Sequence, residues 1–255
     1  AKQGANANEL IIPMMSMDGL ADYSRNGGYV QGGVTMTNET VKCNFDRGRR
    51  FDVDVMDNLE TAGLAFGRLS AQFIRDKVVP ELDAFRFASY CGISGVTKKE
   101  ETLADGAATV AALSAAVTAM DDEEVTATGR YLFITPTLLQ GINDMDTTKS
   151  KKVLEGFEQV IKVPQRRFYT AIKQLSGKTG EEAGGYTKAA GAANINFAIV
   201  QKDALIQYTK HAAPKIIAPE NNPDADAYVF GYRMVGIAKA YKNMLSGMYF
   251  SHDKA

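Results

Sequence analysis

Along residues 57–90 apolar side chains recur at helical spacing. Leu59, Ala62, Phe66, Leu69 and Phe73 step by three and four, and Ile74, Val78, Leu82 and Phe85 continue the stripe after a small change of face. The spacing predicts one long amphipathic helix, with Asp57 capping its first turn and Glu60 three residues on completing an aspartate form of the capping box. If continuous, it would run about 50 Å at roughly 1.5 Å per residue, long against a single globular domain. Pro80 has no amide proton and crowds the preceding turn, so a kink or short break is expected there. Upstream the pattern changes to alternation: Val34 and Met36, then Val41, Cys43 and Phe45, then Phe51, Val53 and Val55. With a tight turn at residues 46–48, this predicts a two-stranded hairpin. Lys42, Asn44, Arg49, Arg50, Asp52 and Asp54 fill the alternate positions, so one face is buried, and a lone hairpin is marginal unless it lies on another subunit. Residues 1–28 show no sustained period and too little apolar surface to fold alone, which predicts an arm ordered by neighbours.

Downstream, a polar link over residues 94–105 precedes a second helix in which Val110, Leu113, Val117 and Met120 share a face. It ends in the acidic run Asp121, Asp122, Glu123 and Glu124. Residues 131–135 form a short buried-type strand stopped by Pro136, with a brief helix over 137–144. Residues 145–194 read as irregular, and their Gly-rich part, 176–191, as a mobile loop. An alternating strand with Ile195, Phe197 and Ile199 follows, then a helical turn over 203–210, a loop at 218–227, and long antiparallel strands over 228–241 and 246–252.

Composition narrows the class. The 255 residues are 45% hydrophobic, enough for a proper core in one large or two small domains. No apolar run approaches the roughly 20 residues that cross a bilayer and no charged-then-apolar leader opens the chain, so a soluble protein made in the cytoplasm is expected. With 29 Lys+Arg against 30 Asp+Glu there is no surplus of positive charge for gripping phosphates. Sequence-specific nucleic-acid recognition is therefore not expected, while a container around nucleic acid stays compatible. Cys43 and Cys91, far apart, read as small reduced hydrophobes rather than as a disulfide or a zinc site.

The search for chemistry returns no active site. Gly177, Lys178 and Thr179 resemble the end of a P-loop, but its first glycine would fall at Ile172, and the flanking strand and helix are missing. Asp52, Asp54 and Asp57 could offer oxygens to a divalent cation, yet strand alternation puts Asp52 and Asp54 on one exposed face beside Arg49 and Arg50, which favours intersubunit or local ion pairing; Asp224 and Asp226 read the same way. His211 and His252 sit in no Ser or Cys constellation and are expected at the surface. Asn38, Glu39 and Thr40 match a glycosylation triplet by accident. No catalytic, cofactor or metal residue is predicted, and no enzyme.

Four segments, RRFDVDVMDNLET, VVPELDAFRFA, GRYLFITPTLL and NINFAIVQKDALIQYTK, followed by a strand-rich C-terminus, resemble in order and spacing the major capsid proteins of tailed bacteriophages with the Hong Kong 97 type fold. The resemblance runs from about Tyr29 to His252. It implies an α+β subunit with an N-terminal arm (1–28), an extended β-hairpin loop (29–56), a peripheral domain built on the spine helix (57–99 and 228–255) and an axial domain (100–227). It implies pentamers and hexamers that tile an icosahedral shell around double-stranded DNA. The implied partners are further copies of the chain, portal, scaffold and decoration proteins, and packaged DNA held without sequence reading, with no membrane. The virion is the expected location, after assembly in the host cytoplasm. The mixed charges of the loop, Lys42, Arg47, Arg49 and Arg50 against Asp46, Asp52 and Asp54, suit contacts between subunits. Some relatives cross-link through a Lys and an Asn; Lys42 is read instead as solvated or ion-paired. An encapsulin-type nanocompartment shell shares the implied fold, and a nucleotide-dependent enzyme is the alternative from a different class.

Overall fold

The computed structural model describes residues 2–3, 8–60 and 64–254, with side chains described at 8–59 and 68–254. Strands β1 (Lys2–Gln3), β2 (Glu9–Met17) and β3 (Val34–Lys42) form an antiparallel sheet in that order. Strand β4 (Phe45–Asp54) leads into helices α1 (Val55–Glu60) and α2 (Leu64–Phe73), a π-helical turn (Ile74–Val78) and α3 (Val79–Cys91). Next come β5 (Thr97–Glu100), α4 (Gly106–Asp122), β6 (Arg130–Ile134), α5 (Pro136–Met145), α6 (Thr148–Glu155) and β7 (Gln159–Lys162). The chain closes with β8 (Ile172–Gln174), β9 (Tyr186–Lys188), β10 (Ile195–Gln201), β11 (Leu205–Ile217), β12 (Ala227–Ala240) and β13 (Met248–His252). A mixed five-stranded sheet has the order β5-β13-β10-β6-β7, and a long antiparallel sheet the order β11-β12-β4.

The predicted hairpin forms with a different partner. β3 pairs with β2, from Glu9↔Lys42 to Met17↔Val34, while β4 pairs with β12, from Phe45↔Gly236 to Ala227↔Asp54. Residues 46–48 are therefore strand, not turn. Gly48 is required by close approach: a Cβ there would sit 2.8 Å from the Tyr232 carbonyl oxygen and 3.4 Å from Arg233 Cα on β12. The chain changes sheets at Asn44, whose amide both donates to the Ala238 carbonyl (2.9 Å) and accepts from the Ala238 amide (3.0 Å). The arm is consequently not structureless, since β2 supplies half of the protruding ribbon.

The spine persists beyond Pro80, without a break. Val79 N–H donates to the Ile74 carbonyl, five residues back, so the turn before the proline is widened. A proline ring crowds the carbonyl four residues earlier, and the π turn gives that carbonyl room while Pro80 takes the first-turn position of α3, where no amide proton is needed. The start differs from expectation. α1 begins at Val55, Asp54 Oδ1 accepts from Met56 N–H (2.8 Å), and Asp57 lies inside the first turn. The Glu60 and Phe66 side chains and Ala62 lie outside what is described. Leu59 is exposed, whereas Phe73 meets Phe51 edge-on at 4.8 Å and Phe85 meets Phe45 at 4.9 Å. Beyond the π turn, Ala84, Tyr90 and Cys91 are buried and Phe87 packs on Phe168 at 4.7 Å, so one helix ties the long sheet to the five-stranded one.

β10 is buried on both faces and forms the centre of the molecule. Phe197 and Ile199 join Leu113, Met120, Leu132 and Ile142 under helices α4 and α5; Ala198 and Val200 join Tyr90, Phe168 and Phe250 on the other side. Strict alternation fails at a bulge between Ile195 and Phe197, which sends Ile195 to the second cluster. The second helix forms as predicted, with Asp105 Oδ1 accepting from Ala108 N–H (2.7 Å) at its start. At its far end the buried Arg130 donates to the carbonyls of Val125 and Thr126 and pairs with Asp121 at 2.7 Å. Two expectations fail here. Residues 145–194 contain α6, capped reciprocally by Thr147 and Ser150, and three short strands. Residues 205–210 are strand, because Ile206 and Tyr208 pair with Lys239 and Ile237 of β12. β11 and β12 pair from Leu205↔Ala240 to Ile217↔Val229.

Candidate intersubunit surfaces

Among the described residues, the β2–β3 hairpin is anchored only at its base. Side chains directly opposite in an antiparallel pair share a face, and parity alternates along each strand. Leu10, Ile12 and Val41 therefore point one way, and they are buried against Ile206 and Ile237 of the long sheet. Further out the apolar residues change sides. Met15↔Met36 and Met17↔Val34 are opposed pairs on the other face, and all four are exposed, Met36 at 72%. Nine residue pairs carry the ribbon about 30 Å at roughly 3.3 Å per residue. Its tip is ordered by its own contacts: Asp18 Oδ2 accepts from Gly33 N–H (2.7 Å), Ser24 and Gly28 exchange backbone hydrogen bonds, and Tyr23 and Tyr29 lie with ring centroids 5.0 Å apart. Leu20, Tyr23, Tyr29 and Val30 are open to solvent there. Among the described residues, eight of the fourteen large exposed apolar side chains thus fall between Met15 and Met36, a concentration that marks a surface meant to be covered.

Beside the spine lies a cleft of about 1150 Å³, between the π turn, β4 and the β8–β9 hairpin. Phe45, Phe51, Phe73 and Tyr232 line it, and Lys77, Arg166 and Lys188 stand exposed at its rim. Arg47 organises one wall: Nε donates to Glu81 Oε1 (2.8 Å), and Nη2 donates to the carbonyls of Leu175 (2.7 Å) and Gly185 (3.2 Å). Arg49 Nη2 donates to the Glu182 carbonyl (2.8 Å). The β4 charges thus have partners within the chain: Arg50 pairs with Asp52 (2.8 Å), and Arg233 with Asp46 (2.7 Å), whose carboxyl it holds below the usual range. The part of the ribbon expected to carry charged contacts between subunits is an integral strand, and the outward surface lies on β2, β3 and their tip, within the arm and the first ribbon strand that were expected to be ordered by neighbours.

The residues singled out for chemistry do not converge. Gly177, Lys178 and Thr179 sit in the loop of the β8–β9 hairpin, and Gly177, at φ 73°, passes the Arg49 guanidinium so closely that a Cβ would reach within 2.8 Å of Nη1. Glu181 holds that loop, accepting from Ser176 N–H (2.6 Å) and pairing with Lys173 (2.6 Å); the Lys173 contact first, then Ser176, lowers its carboxyl to about 2. Among the described residues no group of His, Cys, Asp and Glu could hold a metal ion. Asp226 offers its backbone carbonyl to Val55 N–H and Asp224 N–H donates to Asn222 Oδ1. His211 is exposed at the β11 bulge, and His252 is half-buried with Nδ1 2.7 Å from the Asp253 carbonyl. Asn38 to Thr40 lie in β3, where Glu39 pairs with Lys242 (2.8 Å). Burial pushes the Cys91 thiol up to about 11, which keeps it protonated and unreactive. Among the described residues no helix is long and apolar enough to cross a membrane.

No protein-family model matches the sequence, and no curated protein matches it. Solved structures do match in three dimensions. The capsid structure of the cyanophage P-SCSP1u is similar over 99% of this chain and 85% of that one, with TM-score 0.62 and 13% identity. The asymmetric unit of the bacteriophage PhiM1 mature capsid is similar over 96% and 82%, with TM-score 0.58 and 7% identity. The chain has the Hong Kong 97 type capsid fold. A virus-like particle from Pyrococcus furiosus has the same capsid fold, similar over 96% and 86%, with TM-score 0.59 and 9% identity.

Proposed function

We propose that the chain is a major capsid protein, a structural shell subunit that assembles as pentamers and hexamers into an icosahedral phage head around double-stranded DNA. The observation that carries this reading is the ribbon whose outer half turns an apolar face away from its own subunit. Each large apolar side chain there gains about 1.5–3 kcal/mol on full burial, before the costs of ordering and association. A second copy is the natural cover, since a repeating shell gives every hairpin an identical receiving surface. In this reading the receiving surface is the cleft beside the neighbour's spine: its aromatic lining suits Leu20, Tyr23 and Tyr29, and its cationic rim suits Asp18 and Asp22.

The spine and C-terminal strands, 57–99 and 228–255, form the peripheral part of the subunit, and 100–227, centred on α4 to α6, the axial part. The near-neutral chain contains its DNA without reading it. Portal, scaffold and decoration proteins are its further partners, and assembly takes place in the host cytoplasm. Sedimentation and electron microscopy of the purified chain test the proposal. Closed shells are expected, and a protein that stays monomeric under every assembly condition, scaffold included, overturns it. A small shell filled with protein in place of DNA would move the assignment to a nanocompartment.

A further inference from the structure

The chain has ten methionines, and their distribution is uneven. Met120, Met234 and Met248 are buried in the cores, at 2%, 7% and 0% exposure. Met15, Met17 and Met36 are 56%, 65% and 72% exposed and sit together on the outer face of the hairpin, Met15 directly opposite Met36 and Met17 two residues along on the same side. We propose that this methionine face is a sulfoxidation site, and that its oxidation by a peroxide blocks shell assembly while leaving the subunit folded.

The chemistry needs only an open thioether. A sulfur lone pair attacks one oxygen of hydrogen peroxide, the S–O bond forms as the O–O bond breaks, sulfur loses two electrons, and the peroxide leaves as water after proton transfer. The product exchanges a soft apolar side chain for a strong hydrogen-bond acceptor. On the free hairpin that acceptor is solvated and costs little. Covered by a neighbour it loses its water, and three lie within one small patch, so each unmet acceptor opposes association. Met120 and Met248, at 2% and 0% exposure, are out of reach of the oxidant, and Met234, at 7%, shows it only an edge along the cleft, which is why the fold survives. Once the face is covered, the same sulfurs are shielded, so susceptibility belongs to the free subunit and not to the shell.

The inference rests on the shell reading, and the experiment separates the two. Purified full-length chain is treated with dilute hydrogen peroxide before assembly, oxygen uptake is mapped by peptide mass spectrometry, and particles are counted by sedimentation and electron microscopy beside an untreated sample. Expected are sulfoxides at Met15, Met17 and Met36 but not at Met120 or Met248, an unchanged circular dichroism spectrum, and a rise of roughly tenfold or more in the concentration needed for assembly. The two methionine sulfoxide reductases, one for each sulfoxide epimer, supplied with a dithiol that is oxidised to its disulfide as the sulfoxide oxygen leaves as water, restore assembly. The triple variant Met15→Leu, Met17→Leu, Met36→Leu, which conserves volume, assembles with and without peroxide although Met56 and Met244 still oxidise. Unimpaired assembly of oxidised wild-type chain, or a triple variant as peroxide-sensitive as wild type, overturns the proposal. Equal oxidation of the three sulfurs in finished shells shows that the face is not covered, and also overturns it. Failure of the untreated chain to assemble removes the shell reading itself.

Discussion

Arg47 was expected to project toward a neighbouring subunit, and it instead fastens three parts of its own chain. Its guanidinium reaches Glu81 on the spine helix and the Leu175 and Gly185 carbonyls at the neck of the Gly-rich hairpin, and the pair is largely shielded, with side-chain exposures of 28% and 13%. Arg47→Ala removes the cation from a carboxylate that, among the described residues, keeps a 3.4 Å contact from Gln174 Nε2, and takes a donor from the Leu175 carbonyl and from the Gly185 carbonyl, which still accepts from Leu175 N–H (2.9 Å). A fully buried pair broken this way costs about 3–5 kcal/mol, and an exposed one about 0–1. The intermediate burial places the cost at about 2–3 kcal/mol, of which the carbonyl contacts supply a substantial part. For a chain of this size that is a fall in melting temperature of about 4–12 °C. Urea denaturation of unassembled Arg47→Ala, Glu81→Gln and the double variant gives the coupling, expected at about 1–2 kcal/mol. Amide exchange should speed up over residues 175–185 before the rest of the fold is affected. A loss below about 0.5 kcal/mol, or additive single effects, would show that the contact behaves as an ordinary surface pair and refute the reasoning.

Further expectations concern the cores and the loop. Ile12→Ala removes the main anchor of the hairpin base and should cost about 2–4 kcal/mol locally; faster exchange at the amides of Val41 and Lys42 with a nearly unchanged global melt is the signature. Leu113→Ala, at the centre of the α4 packing, should cost about 3–5 kcal/mol by denaturation and Leu113→Met less than about 1.5. Glu181 has its carboxyl lowered from 4.5 to about 2, so its contribution to the Gly-rich loop is complete above pH 4.5 and is lost as pH falls toward 2. Exchange at Ser176, normalised to its intrinsic rate, should rise across that window in the native chain and show no such step in Glu181→Gln.

What could be read in advance was whatever depended on a single element's own periodicity. The α4 stripe of Val110, Leu113 and Met120, the β6 strand stopped by Pro136, and the spine through Leu82 and Phe85 all follow from spacing, because burying one face of one helix or strand decides them. Pairing was a different matter. Period-two alternation in Val41, Phe45, Phe51 and Val53 marks strands but is silent on partners, and Asp46 and Gly48 carry the composition of a turn for unrelated reasons, an ion pair with Arg233 and a close approach to β12. The helical turn assigned over 203–210 fails similarly: Leu205, Ile206 and Tyr208 satisfy a short helical face, and only the long antiparallel partner β12 settles the matter. The α6 cap, Thr147 with Ser150, was missed because serine replaces the usual glutamate of a capping box. The outward surface was legible only as a scatter of Met, Leu and Tyr, since exposure depends on which face β2 and β3 present together.

The change of apolar side along the hairpin has a consequence for the isolated subunit. Were the ribbon to bend down onto its own sheet, continuing the face that Leu10, Ile12 and Val41 begin, it would present Met14, Ser16, Thr35 and Thr37, and Met15, Met17, Val34 and Met36 would still point away. Strand parity cannot be altered without slipping the register of the whole ribbon. A lone subunit is therefore unable to quench its own adhesive side by folding back. Adhesion waits for an encounter, and its onset depends on concentration.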